Sequence, residues 1–205
     1  VNWTIIKGTK MKTISQATPK SIRDIFYVEI NLPLSFLKAL GVGIFVLLTA
    51  LGAFIRVPLF FTPVPLTLQT FFVLLSGAVL GKKYGFATQL LYLSLGIMGI
   101  PLFSGANFGL AAILGPTGGY LTSFVVVAFV LGFVLQSSKV NYLQLIFIFV
   151  SASMFILTCG CLWLAIFLGY SFKSAFVLGF APFVVGDIIK SILAATIYNR
   201  IKHKF

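Results

Sequence analysis

Phe176-Val-Leu-Gly-Phe-Ala-Pro-Phe-Val-Val-Gly-Asp187-Ile-Ile-Lys190-Ser-Ile-Leu-Ala-Ala195 is almost wholly apolar, yet it carries an aspartate. From Ile30 to the C-terminus Asp187 is the only carboxylate side chain. A run this long and apolar reads as a bilayer span. A charge at membrane depth costs at least about 2.5–3.5 kcal/mol on insertion scales, so Asp187 marks a functional site by default. Lys190 follows at i+3 on the same helical face, within reach of an ion pair. A purely structural pair would gain little over apolar residues of similar volume. The pair is therefore expected to meet something polar that comes and goes.

Composition extends that reading to the whole chain. Of 205 residues 60% are hydrophobic and 9% charged, with a mean hydropathy of +1.11. No soluble domain of this size needs so much apolar surface. The net charge of +12 does not point to nucleic acid, because the Lys and Arg residues are scattered between apolar runs and build no continuous basic face. Cys159 and Cys161 lie two apart in an apolar run and face different directions on a helix, as small packing residues. A zinc site would need more ligands, and the only His, His203, is in the tail.

Hydropathy gives six spans, at about 37–55, 66–81, 84–100, 118–136, 142–169 and 174–199, an all-α membrane domain over 37–205. Residues 1–36 form a basic segment, partly amphipathic along 21–36 and able to lie on a membrane surface. They are too polar for a signal peptide; Met11 is a candidate start, with residues 1–10 an extension. With both termini inside, Lys38, Lys82, Lys83, Lys139, Arg200, Lys202 and Lys204 share the inner side, and only Arg56 and Lys173 remain outside. The positive-inside bias selects this N-in/C-in orientation.

Two outer connections stand out. Arg56-Val-Pro-Leu-Phe-Phe-Thr-Pro-Val-Pro65 holds three prolines, which forbid a continuous helix and favour an extended, stiff path. The stretch Pro101–Gly119 carries Phe103, Phe108, Leu110, Ile113 and Leu114, which a water-exposed loop has little reason to hold. Irregular backbone at membrane depth is tolerated where it is buried in protein or lines a cavity. This loop between spans 3 and 4 is expected to be re-entrant, folding over the outer half of the bundle as a lid or wall. No internal repeat supports an inverted-repeat transporter.

Catalytic groups are scarce: there is no His-Glu-x-x-His, no GxSxG elbow, no Walker A sequence and no carboxylate pair in the spans. Binding needs less. The polar groups of the outer half are Gln69, Gln89, Tyr92, Asn107, Thr117, Tyr120, Asp187 and Lys190. Gly115-Pro-Thr-Gly-Gly-Tyr120 opens the fourth span, either as an anion site built from its first amides or as a plain helix start capped by Thr117.

Four blocks resemble the BioY family: Pro63-Val-Pro-Leu-Thr-Leu-Gln-Thr-Phe-Phe-Val-Leu-Leu-Ser-Gly-Ala-Val-Leu-Gly81, Leu90-Leu-Tyr-Leu-Ser-Leu-Gly-Ile-Met-Gly-Ile-Pro-Leu-Phe103, Leu114-Gly-Pro-Thr-Gly-Gly-Tyr-Leu121 and Gly186-Asp-Ile-Ile-Lys190. They occur in the right order over about residues 40–200. The resemblance implies a biotin-binding S component of an energy-coupling factor transporter, multi-pass in the prokaryotic cytoplasmic membrane. It also implies a transmembrane scaffold subunit and two cytoplasmic ATPase subunits as partners, with ATP used by them and no cofactor on this chain. Ala39 and Gly43 resemble the small-residue pattern by which the first span of S components docks on the scaffold, with Gly in place of the second Ala.

Biotin offers two ureido N–H donors, a carbonyl, an apolar heterocycle and a valerate carboxylate. An ionised Asp is acceptor-only, so Asp187 suits the ureido N–H groups. Lys190 can neutralise Asp187 or bind the valerate, and Asn107 can reach either polar end. The amides around Thr117, Gly118 and Gly119 can hold a carboxylate, and Phe103, Phe108, Tyr92 and Tyr120 can wall the heterocycle. The alternatives are a carrier for another vitamin and a membrane-embedded enzyme; the latter lacks a nucleophile or metal set.

Overall fold

The computed structural model describes residues 33–137 and 140–202. The expectations for the N-terminal segment through residue 32, Met11 as start, Lys139, His203 and Lys204 lie outside these residues. Helix α1 (Leu34–Phe54) leads into a two-stranded antiparallel ribbon, β1 (Arg56–Val57) and β2 (Leu66–Thr67), with Arg56 opposite Thr67 and Val57 opposite Leu66. The prolines at 58, 63 and 65 keep the intervening chain out of helix, as expected.

The next element, α2 (Gln69–Ile97), is interrupted at Gly81 (φ 75, ψ 177), which parts it into runs 69–80 and 82–97. This backbone conformation favours glycine, which has no Cβ to clash. A Cβ on Gly85 would lie 2.8 Å from the Cα of Gly77, whereas eight residues of straight helix would separate them by about 12 Å. The two runs therefore fold back on each other as a helical hairpin. Relative to the expected spans, the first run begins at Gln69, because Leu66–Thr67 is held in the ribbon. The second ends at Ile97, and Gly99 turns the chain with φ 106.

After a loop pinned by a Phe103–Asn107 bridge comes the short helix α3 (Leu110–Leu114). Phe103 is buried and Ile113 packs against the core, but Phe108, Leu110 and Leu114 stay exposed. Helix α4 (Gly118–Ser137) packs into the hairpin: Cβ atoms on Gly77 and Gly85 would lie 2.6 and 3.3 Å from the Ala128 carbonyl oxygen. Helix α5 (Tyr142–Leu168) starts with a capping box, in which Asn141 accepts from the Gln144 amide at 2.9 Å and Gln144 from the Asn141 amide at 3.0 Å. It ends at Gly169 with φ 64.

The last expected span, 174–199, is not one helix. Helix α6 (Phe172–Gly179) stops, a 3-10 turn covers Ala181–Phe183, and α7 (Val184–Ile201) begins anew. Pro182 is the cause, since it lacks the N–H that would bond back to Leu178 and its ring clashes with that carbonyl. The break moves Asp187 from the expected mid-span position to the first turn of α7. There the helix dipole favours an anion.

Four stretches of the described residues are long and apolar enough to cross a membrane: Ser35–Phe54, Gly118–Gln136, Tyr142–Leu168 and Phe172–Ile201, the last counting α6 and α7 together. Their outward faces are apolar. On α1, Leu37, Leu40, Ile44, Leu47, Leu51 and Phe54 are all exposed, as suits a helix bathed in lipid. The packed interior is built from Val73, Leu74, Phe124, Leu131, Leu145, Phe149, Ile156 and Leu164.

Candidate functional site

A cavity of about 340 Å³ opens between the ribbon, the 103–117 segment, α4 and α7. This falls at the small end of the range for small-molecule pockets. Its lining grades from exposed to buried. Arg56, Pro63, Asn107, Phe108 and Ala111 are exposed and form the rim, whereas Gln69, Phe103, Phe124, Leu157, Phe183 and Asp187 are buried and form the interior.

Asp187, 2% exposed, holds its carboxylate among three helices, α2, α5 and α7. Its Oδ1 pairs with Lys190 and accepts from Thr70 Oγ1 at 3.4 Å; its Oδ2 accepts from Ser153 Oγ at 3.1 Å. The expected i+3 ion pair is thus present. Lys190 also donates to the Thr67 carbonyl at 2.9 Å, which ties α7 to the ribbon. A carboxylate offers about four lone-pair sites and an ammonium three donors. Three protein donors meet the carboxylate and two acceptors meet the ammonium. The pair therefore retains about one acceptor site and one N–H for a guest.

Hydroxyl partners were invisible in the sequence. Thr70 and Ser153 lie 117 and 34 residues from Asp187 in the chain, and nothing about Ser151-Ala-Ser153 in the apolar run of α5 points to a carboxylate. Only the proximity of Thr70 to the Pro-Val-Pro-Leu-Thr-Leu-Gln block offered a hint.

Tyr92 is fully buried but does not line the cavity, contrary to expectation. Its hydroxyl accepts from Gln69 Nε2 at 2.7 Å and donates to the Leu102 carbonyl at 3.0 Å. Its ring meets Phe103 edge to face, centroids 5.5 Å apart. Tyr92 therefore stands one layer back and fixes Phe103, the ring that reaches the cavity. Gln89 is also remote from it: its Nε2 donates to Ser76 at 2.9 Å and to Thr49 at 3.4 Å in the interior of α1 and α2.

The Gly-Pro-Thr-Gly-Gly turn corrects another expectation. Thr117 and Tyr120 line the cavity, but Gly118 and Gly119 do not. A Cβ on Gly118 would strike the Ile113 carbonyl and lie 2.9 Å from Trp163 Nε1, and one on Gly119 would lie 2.6 Å from the Cys159 carbonyl oxygen. The Gly118 amide is already bonded to the Gly115 carbonyl at 3.1 Å, and Trp163 Nε1 donates to that same oxygen at 2.8 Å. Gly118 lets α4 approach Ile113 of α3, and Gly119 lets it approach α5; neither glycine faces the cavity as an anion nest. Tyr120 contributes a ring wall, since its hydroxyl donates to the Gly179 carbonyl.

Asn107 sits on the rim, its Nδ2 donating to the Ser104 carbonyl at 2.8 Å and its own carbonyl accepting from the Phe103 amide. Phe108 lines the rim, 57% exposed. Ala39 and Gly43 are exposed on α1, and a Cβ on Gly43 would meet nothing within 4 Å. Among the polar lining residues that were not sequence candidates are Thr67, Thr70, Arg56, and Ser104, whose buried Oγ has no hydrogen-bond partner among the described residues.

Known proteins point in the same direction. The sequence profile of the BioY family matches residues 29–205. The chain is 47% identical over 161 residues to a probable biotin transporter BioY of Pyrococcus horikoshii, covering 78% of this chain and 93% of that protein. It is 42% identical over 160 residues to the biotin transporter BioY of Thermotoga maritima, covering 78% and 92%. Its fold is similar to the crystal structure of the S-component for biotin from an ECF-type ABC transporter, with a TM-score of 0.77, 27% identity, and coverage of 82% of this chain and 92% of that one.

Proposed function

The chain belongs to the BioY family, and from that premise we propose that it binds biotin in the 340 Å³ cavity and serves its uptake as the S component of an energy-coupling factor transporter. The observation that carries the reading is the buried Asp187–Lys190 pair, hydroxyl-braced and facing an apolar cavity with an acceptor and a donor unclaimed. The ureido N–H groups suit the acceptor on Asp187, giving charge-assisted bonds. The ureido carbonyl suits the third donor of Lys190. Phe103, Phe124, Leu157 and the Tyr120 ring supply an apolar wall for the heterocycle. Asn107, on the rim, can close over either polar end. The family is one of transport components and not of enzymes.

In the membrane, the two runs of α2 would add two short crossings to the four long stretches, six in all, with both termini inside. Lys38 lies 5.2 Å from the centroid of the Tyr84 ring and Lys82 5.0 Å from that of Phe133, and Lys202 donates to the Val140 carbonyl. These contacts support gathering the basic residues near one end, as the positive-inside bias requires. The 101–117 segment would then cover the cavity from outside as a re-entrant wall. Ala39 and Gly43 offer a close-approach patch for the scaffold subunit, and two cytoplasmic ATPase subunits would hydrolyse the ATP.

Calorimetry on the purified protein in nanodiscs tests the reading. Tight binding of biotin, with riboflavin and thiamin unable to compete, is the expected result. Competition by another vitamin at equal strength would favour the carrier of that vitamin, and no biotin binding would reject the proposal.

A further inference from the structure

The cavity has a second polar end that the Asp187–Lys190 pair does not use. At the rim lies Arg56, whose backbone is held opposite Thr67 in the ribbon. Among the described residues it makes no ion pair, and the only carboxylate side chain there, Asp187, is taken by Lys190. The Asp187–Lys190 pair is internally neutral, so Arg56 gives the cavity lining a net positive charge at its exposed rim. Its guanidinium lies on Gly105: a Cβ built there would be 2.5 Å from Nη1, and the glycine has φ +80. The neighbouring Ser104 also lines the cavity, and its Oγ is buried with no partner among the described residues. Buried polar groups are otherwise almost always satisfied, so an orphan in a cavity wall points to a guest. The turn that carries it is braced by the Asn107 Nδ2 bond to the Ser104 carbonyl at 2.8 Å.

A planar fork of N–H donors beside an unused hydroxyl is a receptor for a carboxylate. The other candidate donors do not supply one as well: Gly118 and Gly119 do not line the cavity, and Lys190 is paired with Asp187. In the orientation proposed above, Arg56 is moreover one of two cations on the outer side, against the prevailing charge bias.

We propose that Arg56 and Ser104 bind the side-chain carboxylate of the ligand at the rim, so that the protein selects the free acid over its amide or ester. This rests on the biotin reading and adds an orientation to it: ureido ring inward, carboxylate outward. The arrangement makes Arg56 a specificity residue and leaves the ring end to Asp187.

The test measures biotin and biotinamide binding side by side on purified wild type, Arg56→Gln, Arg56→Lys and Ser104→Ala. Wild type should prefer the acid by about tenfold to a hundredfold, the range of a lost charge-assisted contact. Arg56→Gln should erase that preference by weakening biotin alone, Ser104→Ala should reduce it, and Arg56→Lys should restore part of it, because Lys keeps the charge but not the fork. Equal wild-type affinity for the two compounds, or Arg56→Gln weakening both alike, overturns the carboxylate site while leaving the biotin reading standing. Wild type binding neither compound overturns both.

Discussion

Replacing Asp187 with Asn removes one charge and almost no volume, and it moves two quantities separately. The first is stability: Asp187 is 2% exposed and Lys190 12%, and breaking a buried pair costs about 3–5 kcal/mol. The lower end applies, because Lys190 keeps the Thr67 carbonyl at 2.9 Å and Asn still offers one oxygen, to either Thr70 or Ser153, whose hydroxyls meet different oxygens of Asp187. The second is affinity: a hydrogen bond to a charged group contributes about 1.5–3 kcal/mol, so losing one weakens biotin by roughly tenfold to 150-fold. The double variant Asp187→Asn/Lys190→Met separates the two. Removing both charges relieves the unpaired ammonium, and such neutral replacements are often no less stable than the pair. Thermal unfolding in nanodiscs should therefore recover most of the loss in the double variant, while titration calorimetry still shows weakened biotin binding. Recovery of affinity in the double variant to within about threefold of wild type would refute the assignment, since the pair would then be structural only.

Three further outcomes are expected. Tyr92→Phe loses bonds to Gln69 and Leu102, leaving the buried Gln69 Nε2 without that acceptor; the unfolding free energy should fall by about 1–3 kcal/mol, while biotin affinity changes little. Gly118→Ala drives a methyl into the Ile113 carbonyl; fluorescence-detected gel filtration should show loss of the monodisperse protein, and normal behaviour would remove the close approach of α4 to α3 as its role. Ala39→Leu with Gly43→Leu thickens an exposed stripe without touching the interior; copurification with the scaffold subunit should disappear with biotin binding unchanged, and retained copurification would exclude this face as the docking site.

The features readable in the sequence were those set by local periodicity or by an expensive residue. Apolar runs located most helices to within a few residues, and the cost of Asp187 in such a run marked the candidate site before any fold was known. The i+3 spacing also fixed its partner, since neighbours on one helical turn are geometrically bound to meet. Three things escaped. The break at Pro182 moved Asp187 to a helix start; proline in an apolar run is ambiguous between a kink and a stop. The hydroxyls of Thr70 and Ser153 reach the carboxylate through tertiary packing, which leaves no periodic trace. Gly118 and Gly119 looked like an anion nest because glycine before a helix serves both for ligand approach and for helix approach. Only their contacts with Ile113, Cys159 and Trp163 decide between the two.

The seam where Gly77 and Gly85 meet each other and Ala128 of α4 is backbone against backbone. Such a joint has no rotamers to freeze on folding, so its ordering entropy is confined to the main chain. It also has no side chains that could repack to let the helices slide. This makes the hairpin and α4 a stiff spine rather than a bearing. The cavity lies away from that seam, and none of Gly77, Gly85 and Ala128 lines it. The molecule thus has a back joined main chain to main chain and a cavity framed by side chains and a loop.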